Sequence, residues 1–216
     1  RSLWEDLAEE EQLRAVKISG RNLVSRQHGA RVIEEATSKL ATTSFRNMIF
    51  RDANVDHFIT ERSVVDLGSC TAFPASSGNI SVRLVPRTMI DEDDEELDGL
   101  ARIAAFEYVH VFWRSADGIP TSAPKEMRVH GCVDAYASSC DVIIPNCTFG
   151  PTAAVATATR PTAARLLQQF AGVPLLCYVE PEFTTKLYRS VKVEVRSNHE
   201  GKHTCLYQGR VYGELE

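Results

Sequence analysis

His28, Asp66, Asp93 and a scatter of cysteines are the residues of this 216-residue chain whose types could do chemistry. A neutral imidazole such as that of His28 is a competent nucleophile near neutral pH, although a lone solvent-facing histidine is the plain alternative. Asp66 follows the β-branched pair Val64-Val65 and opens the turn Asp66-Leu67-Gly68-Ser69. A glycine there lets the backbone approach a ligand, and the turn leaves amide groups free to bind it. The same segment also reads as an ordinary turn after a buried strand. His130, Cys132, Cys140 and Cys147 fall within 18 residues. Thiolate and imidazole suit zinc, although this spacing fits no compact Cys-x-x-Cys knuckle, and buried unligated cysteine is the plain alternative.

Composition bounds these options. Hydrophobic residues make up 44% and charged residues 25%, which fits a globular domain and excludes a disordered tail or a collagen-like rod. The net charge of −5 argues against a general binder of duplex nucleic acid, which needs Lys and Arg to neutralise phosphates. It leaves room for an enzyme acting on one nucleotide or one RNA end. Apolar runs such as Val173 to Val179 are far shorter than the roughly 20 residues of a membrane span. No charged stretch followed by an apolar run opens the chain, so no secretory signal is read; because it starts at Arg1 without Met, it is expected to be a processed piece of something longer. Six cysteines in 216 residues are too few and too scattered for a secreted disulfide framework, and are expected to be reduced, intracellular thiols. In that setting Asn79-Ile80-Ser81 and Asn146-Cys147-Thr148 match the N-glycosylation pattern only formally.

The elements that would position these residues follow from periodicity. A helix is predicted over Arg26 to Phe45, with Ala30, Ile33 and Leu40 on its apolar stripe. Six consecutive acids, Asp91 to Glu96, read as the solvated start of a second helix carrying Leu97, Leu100, Ala101 and Ala104. A third would run from Arg160-Pro161 through Phe170 and stop at Gly172. Strands are predicted before Asp66, at Ile80–Val85, at Phe106–Trp113, at Asp141–Ile144 ended by Pro145, and at Val173–Val179. Val191–Val195 and Thr204–Tyr207 alternate with period two and read as an antiparallel hairpin. Apolar strands separated by helices, then a hairpin, make a single α/β domain over residues 1–216.

The order of these features resembles the methyltransferase–guanylyltransferase capping domain of the alphavirus-like superfamily of RNA viruses. Gln27-His28-Gly29-Ala30-Arg31 looks like the segment holding that family's His, and Val64 to Ser69 looks like its "LDIGS" motif. Pro86 to Leu97 is similar to its acidic segment, with Asp93 at the Asp position, and Cys132 to Ile144 is similar to its cysteine segment running into "ADVAI". Phe149 falls near the aromatic of its next motif. The resemblance implies a Rossmann-like methyltransferase-type sheet with the hairpin appended. It implies methyl transfer from S-adenosylmethionine to N7 of GTP, a covalent 7-methyl-GMP adduct on His28, and transfer to an RNA 5′ end. Asp93 would then join His28 in catalysis. Asp66, Gly68, Ser69, Asp141 and Phe149 would hold the methyl donor. His130, Cys132 and Cys140 could hold zinc, and magnesium would assist the phosphate chemistry.

The same resemblance implies a fragment of a larger replicase working in the host cytoplasm at membrane-bound replication sites. Its partners would be other replicase segments and copies of itself, with membrane attachment supplied by other regions. Two departures favour a different class of function. Glu96 stands where the family has Arg, and Ser81, Val82 and Arg83 stand where it has a His-x-Cys pair. A noncatalytic α/β interaction or assembly domain is therefore the alternative, with a plain S-adenosylmethionine-dependent methyltransferase as a third reading.

Overall fold

The computed structural model describes residues 21–39, 55–60, 70–84, 99–113, 121–150 and 170–216. Eleven strands carry the described chain: β1 (Arg21–Asn22), β2 (Arg31–Val32), β3 (Thr71–Phe73), β4 (Gly78–Arg83), β5 (Ala101–Trp113), β6 (Pro124–Cys132), β7 (Cys140–Thr148), β8 (Phe170–Tyr178), β9 (Ser190–Asn198), β10 (Thr204–Leu206) and β11 (Gln208–Leu215). Four short 3-10 turns join them, and no α-helix occurs among the described residues. One sheet has the order β2-β4-β9-β6-β7, a second β1-β11-β5-β8, and β10 and β3 form a separate pair. Every one of these pairings is antiparallel.

The two large sheets share one buried cluster, as stacked layers must. Val191, Val193 and Val195 of β9 lie beside Ile80 and Val82 of β4 and Met127 and Val129 of β6, while Ile103, Phe106 and Tyr108 come from β5. Alternation explains β9: its valines are buried, and Lys192 and Glu194 between them are half-exposed.

The expected α/β, Rossmann-like sheet is thus overturned, for local reasons that can be named. In the predicted helix from Arg26, a 3-10 turn ends at His28 because Gly29 adopts a left-handed conformation (φ 98°), which stops a helix. Arg31 and Val32 then pair with β4. Residues 40–45 lie outside the described residues. Ala101 and Ala104, assigned to a helix, belong to β5, whose ladders with β11 and β8 override the helix propensity of alanine. Phe170 and Gly172 likewise lie in β8, and the rest of that predicted helix, with the strand before Asp66 and the acidic run, falls outside the described residues. β7 continues through Pro145, which its place at the end of the sheet tolerates. The predicted C-terminal hairpin does not form either. β9 sits between β4 and β6, and β10 pairs with β3. The Asn198 amide donates to the carbonyls of Gly201 and His203 (both 2.9 Å), and the left-handed Glu200 (φ 67°) turns the chain away.

All six cysteines are joined, as Cys70–Cys205, Cys132–Cys140 and Cys147–Cys177, which corrects the expectation of reduced thiols. Cys205 lies opposite Ala72 on the β3–β10 pair, so strand pairing brings together cysteines 135 residues apart. Cys147–Cys177 ties β7 of one sheet to β8 of the other. No helix among the described residues is long and apolar enough to cross a membrane.

Candidate functional site

The strongest local construction is the seven-residue loop Val133–Ser139 between β6 and β7. Cys132 and Cys140 face each other across the ladder and close it with their disulfide. Inside, the Asp134 carboxylate accepts from the backbone N–H groups of Tyr136 (2.8 Å), Ser138 (3.1 Å) and Ser139 (2.7 Å). Partial burial raises its pKa, but the N–H groups of Ser139, Ser138 and Tyr136 outweigh that and hold the carboxyl below the ordinary aspartate range. The Val133 N–H donates to the Ser139 carbonyl (3.0 Å), and the Ser190 hydroxyl from β9 donates to the Asp134 carbonyl (2.6 Å). Ala137 takes a left-handed φ of 56° and turns its methyl inward, against Ile33 and Cys132. With so many ties the loop is preformed. At its tip Tyr136 is 77% exposed, and Val133 of the loop and Val142 on β7 are exposed as well.

The segment behind the loop is also ordered by side chains. Asp141 accepts from the Lys186 ammonium (3.1 Å) and the Tyr188 hydroxyl (3.3 Å), and Lys186 lies over the Phe183 ring. Burial, then the neighbouring Asp141 charge, pushes the Tyr188 phenol well above its ordinary value. Gly131 makes room for that phenol, since a Cβ there would lie 2.8 Å from the ring.

The sequence-derived site residues are not gathered by the fold into one place that these contacts mark. Asp66, Gly68, Ser69 and Asp93 lie outside the described residues. His28 sits exposed at the end of a 3-10 turn, its backbone N–H bonded to the Ser25 carbonyl (3.1 Å). Phe149 is fully buried and stacks edge-on against Tyr108. His130 faces Glu194 across neighbouring strands (Nε2 to Oε2, 3.0 Å), and Cys132 and Cys140 are bonded to each other. Among the described residues no three His, Cys, Asp or Glu side chains converge as a metal site would require. Asp141 is engaged by Lys186 and Tyr188.

Two buried polar groups were not foreseen. His110 is 1% exposed, its Nδ1 2.7 Å from the Tyr108 hydroxyl, and burial, with the nearby His199 adding to it, lowers its pKa to about 3. Glu107, buried on β5, accepts from the Tyr212 hydroxyl (2.7 Å) and pairs with Arg210 (3.3 Å). Both are closed off from solvent and serve the packing of β5 against its neighbours. Tyr136 itself was also missed. The signal available was Cys-Val-Asp-Ala-Tyr-Ala-Ser-Ser-Cys, a short polar span whose Asp precedes residues able to turn back onto it.

No family model matches the chain, and no curated protein matches its sequence. The solved structures it is similar to include the family 32 carbohydrate-binding module of Streptococcus pneumoniae EndoD, 11% identical over 90% of this chain and 100% of that one, with a TM-score of 0.46. The C-terminal domain of a chitobiase from Bacteroides fragilis is 12% identical over 87% and 95%, with a TM-score of 0.45. The N-terminal domain of the single-strand break repair protein XRCC1 is 10% identical over 89% and 96%, with a TM-score of 0.39. At these scores the fold rests on the strand pairing of the chain itself. That pairing, antiparallel in every described pair of strands, overturns the resemblance to the viral capping family, and with it the capping, methyltransferase and guanylyltransferase reading.

Proposed function

We propose that this chain is a noncatalytic β-sandwich interaction domain of an oxidising compartment, and that the Val133–Ser139 loop is its recognition element for a protein partner. The observation that carries it is the disulfide-closed loop holding Tyr136 out into solvent. A tyrosine contributes a large amphipathic contact area, and such residues are enriched among the few that dominate interface energetics. A loop fixed in advance loses little entropy on docking, so more of the contact energy appears as affinity. Three disulfides support the compartment reading, since such bonds persist where glutathione and thioredoxin do not reduce them.

A photoreactive phenylalanine analogue placed at Tyr136, in cells that make the protein, tests the loop. Exposed Lys202 serves as the control position. The expected result is a discrete protein adduct at 136 that is absent at 202 and weakened when Cys132 and Cys140 are both replaced by alanine. Equal labelling at the two positions would refute the loop as a recognition element. Binding to glycan arrays that disappears in Tyr136→Ala would replace the protein partner by a sugar. Alkylation of the native protein without reductant tests the compartment, since labelled cysteines would refute it.

A further inference from the structure

The chain carries two matches to Asn-x-Ser/Thr with x other than proline, and the fold treats them in opposite ways. Asn79, on β4, is held within the structure. Its Nδ2 donates to the Ala36 carbonyl, its Oδ1 accepts from the Ser38 hydroxyl (2.7 Å), and the hydroxyl of buried Ser81 donates to the same Ala36 carbonyl (2.8 Å). A glycan on Nδ2 would have to occupy the space of residues 36–38.

Asn146 is exposed, as is Thr148 two residues on, and its side-chain amide bonds to none of the described residues. It lies on β7, at one end of the five-stranded sheet. The register places Ile144 opposite Val129 and Cys147 opposite Met127, so Pro145 and Asn146 together face the single residue Arg128. This is a β-bulge, a device that re-aims side chains at sheet edges. Pro145 offers no N–H to a neighbouring strand, and the Arg128 guanidinium donates to its carbonyl (3.3 Å). Cys147 between the two polar residues points inward to Cys177, which leaves Asn146 and Thr148 on the solvent side.

We infer that Asn146 is an N-glycosylation site and that Asn79 is not. The inference rests on the compartment reading above, because oligosaccharide transfer to asparagine takes place in the oxidising lumen where disulfides form. In the transfer, Asn146 Nδ2 forms a bond to the anomeric carbon of an oligosaccharide carried on a lipid pyrophosphate. The anomeric carbon–oxygen bond to the pyrophosphate breaks, the lipid pyrophosphate leaves with the electron pair, and the amide nitrogen gives up one proton.

The test expresses the full chain behind a cleavable secretory leader in glycosylating eukaryotic cells and examines the secreted protein. One amidase-sensitive mobility step is expected, lost in Asn146→Gln and in Thr148→Ala and kept in Asn79→Gln. Enzymatic deglycosylation in heavy-oxygen water should place the label on residue 146 by peptide mass spectrometry. An unglycosylated secreted chain with no free thiols, or a label on residue 79, would overturn the site while leaving the disulfide reading intact. Free thiols in the secreted chain would overturn the disulfide reading and this inference with it.

Discussion

Replacing Cys70 and Cys205 together by alanine removes a cross-link that spans 135 residues of sequence. If a disulfide acts by restricting the unfolded chain, its contribution follows the logarithm of the loop it closes. The chain-entropy relation then gives about 5 kcal/mol for Cys70–Cys205, about 3.6 for Cys147–Cys177 and about 2.5 for Cys132–Cys140, whose sequence separations are 135, 30 and 8. A whole domain is stable by only about 5–15 kcal/mol, so loss of the first bond should remove a large part of it. For a chain of this size about 2–4 °C follows each kcal/mol, so midpoints should fall by about 10–20 °C in the first pair and about 5–10 °C in the third. Native-state contacts push in the same direction. Cys70 and Cys205 are buried, so alanine leaves a void there, whereas half-exposed Cys140 borders solvent. The loop would also keep its hydrogen bonds to Asp134 and the Ser190 tether after its own bond is removed. Thermal unfolding of the three paired variants, followed by circular dichroism, measures the order directly. The reasoning fails if the Cys132–Cys140 pair loses as much as Cys70–Cys205, or if removing the latter leaves the midpoint unchanged.

Stability should decline with acid between about pH 6.5 and pH 3, because the unfolded His110 imidazole takes up a proton that the folded one, with its pKa lowered to about 3, refuses. The slope reaches about 1.4 kcal/mol per pH unit in urea titrations and should flatten in His110→Gln; parallel profiles of the two proteins would refute it. Gly131→Ala should cost about 1–3 kcal/mol by overpacking, since its Cβ would meet the fully buried Tyr188 ring at 2.8 Å; an unchanged denaturation midpoint would show that the ring yields.

What could be read from the sequence was the face each strand presents, and what could not was its neighbour. Val191-Lys192-Val193-Glu194-Val195 announces a half-buried strand by its period of two, and β9 is one. The same period is silent on pairing, because any strand with one apolar face satisfies it equally. For Thr204–Tyr207 the pattern therefore points to the nearest neighbour in sequence, although its partner is β3, more than a hundred residues earlier. Val173–Val179 is apolar enough to be covered on both faces, and a run of that kind gives no direction, so parallel and antiparallel strands look alike. Alanine misleads in the other way, since Ala101 and Ala104 favour a helix locally while the strand that contains them, β5, is held by ladders to β11 and β8. Disulfide partners depend on the same missing pairings. Cys70 and Cys205 can be joined on paper only after β3 and β10 are known to touch. The loop around Tyr136 has no periodicity at all, and its order comes from one carboxylate and one cross-link that spacing alone does not connect.

The loop and the glycosylation site occupy opposite ends of one strand, and this bears on how both can operate. Cys140 closes the loop where β7 begins, and Asn146 lies six residues further on, about 20 Å along an extended chain. An end strand left bare offers unpaired backbone groups to any passing chain, a hazard that proteins meet with charge, proline, bulges or bulk. β7 carries Pro145 and a bulge at that distal end, and a glycan on Asn146 would add bulk to the same stretch. The proximal end has no proline and, ahead of a second bulge at Ile143, presents exposed Val133, Tyr136 and Val142. A partner approaching β7 would therefore be turned away from Asn146 and admitted at Tyr136. It follows that Asn146→Gln should leave crosslinking through position 136 intact while making the purified domain more prone to self-association. Loss of the adduct in that variant would mean that the glycan belongs to the recognition surface itself.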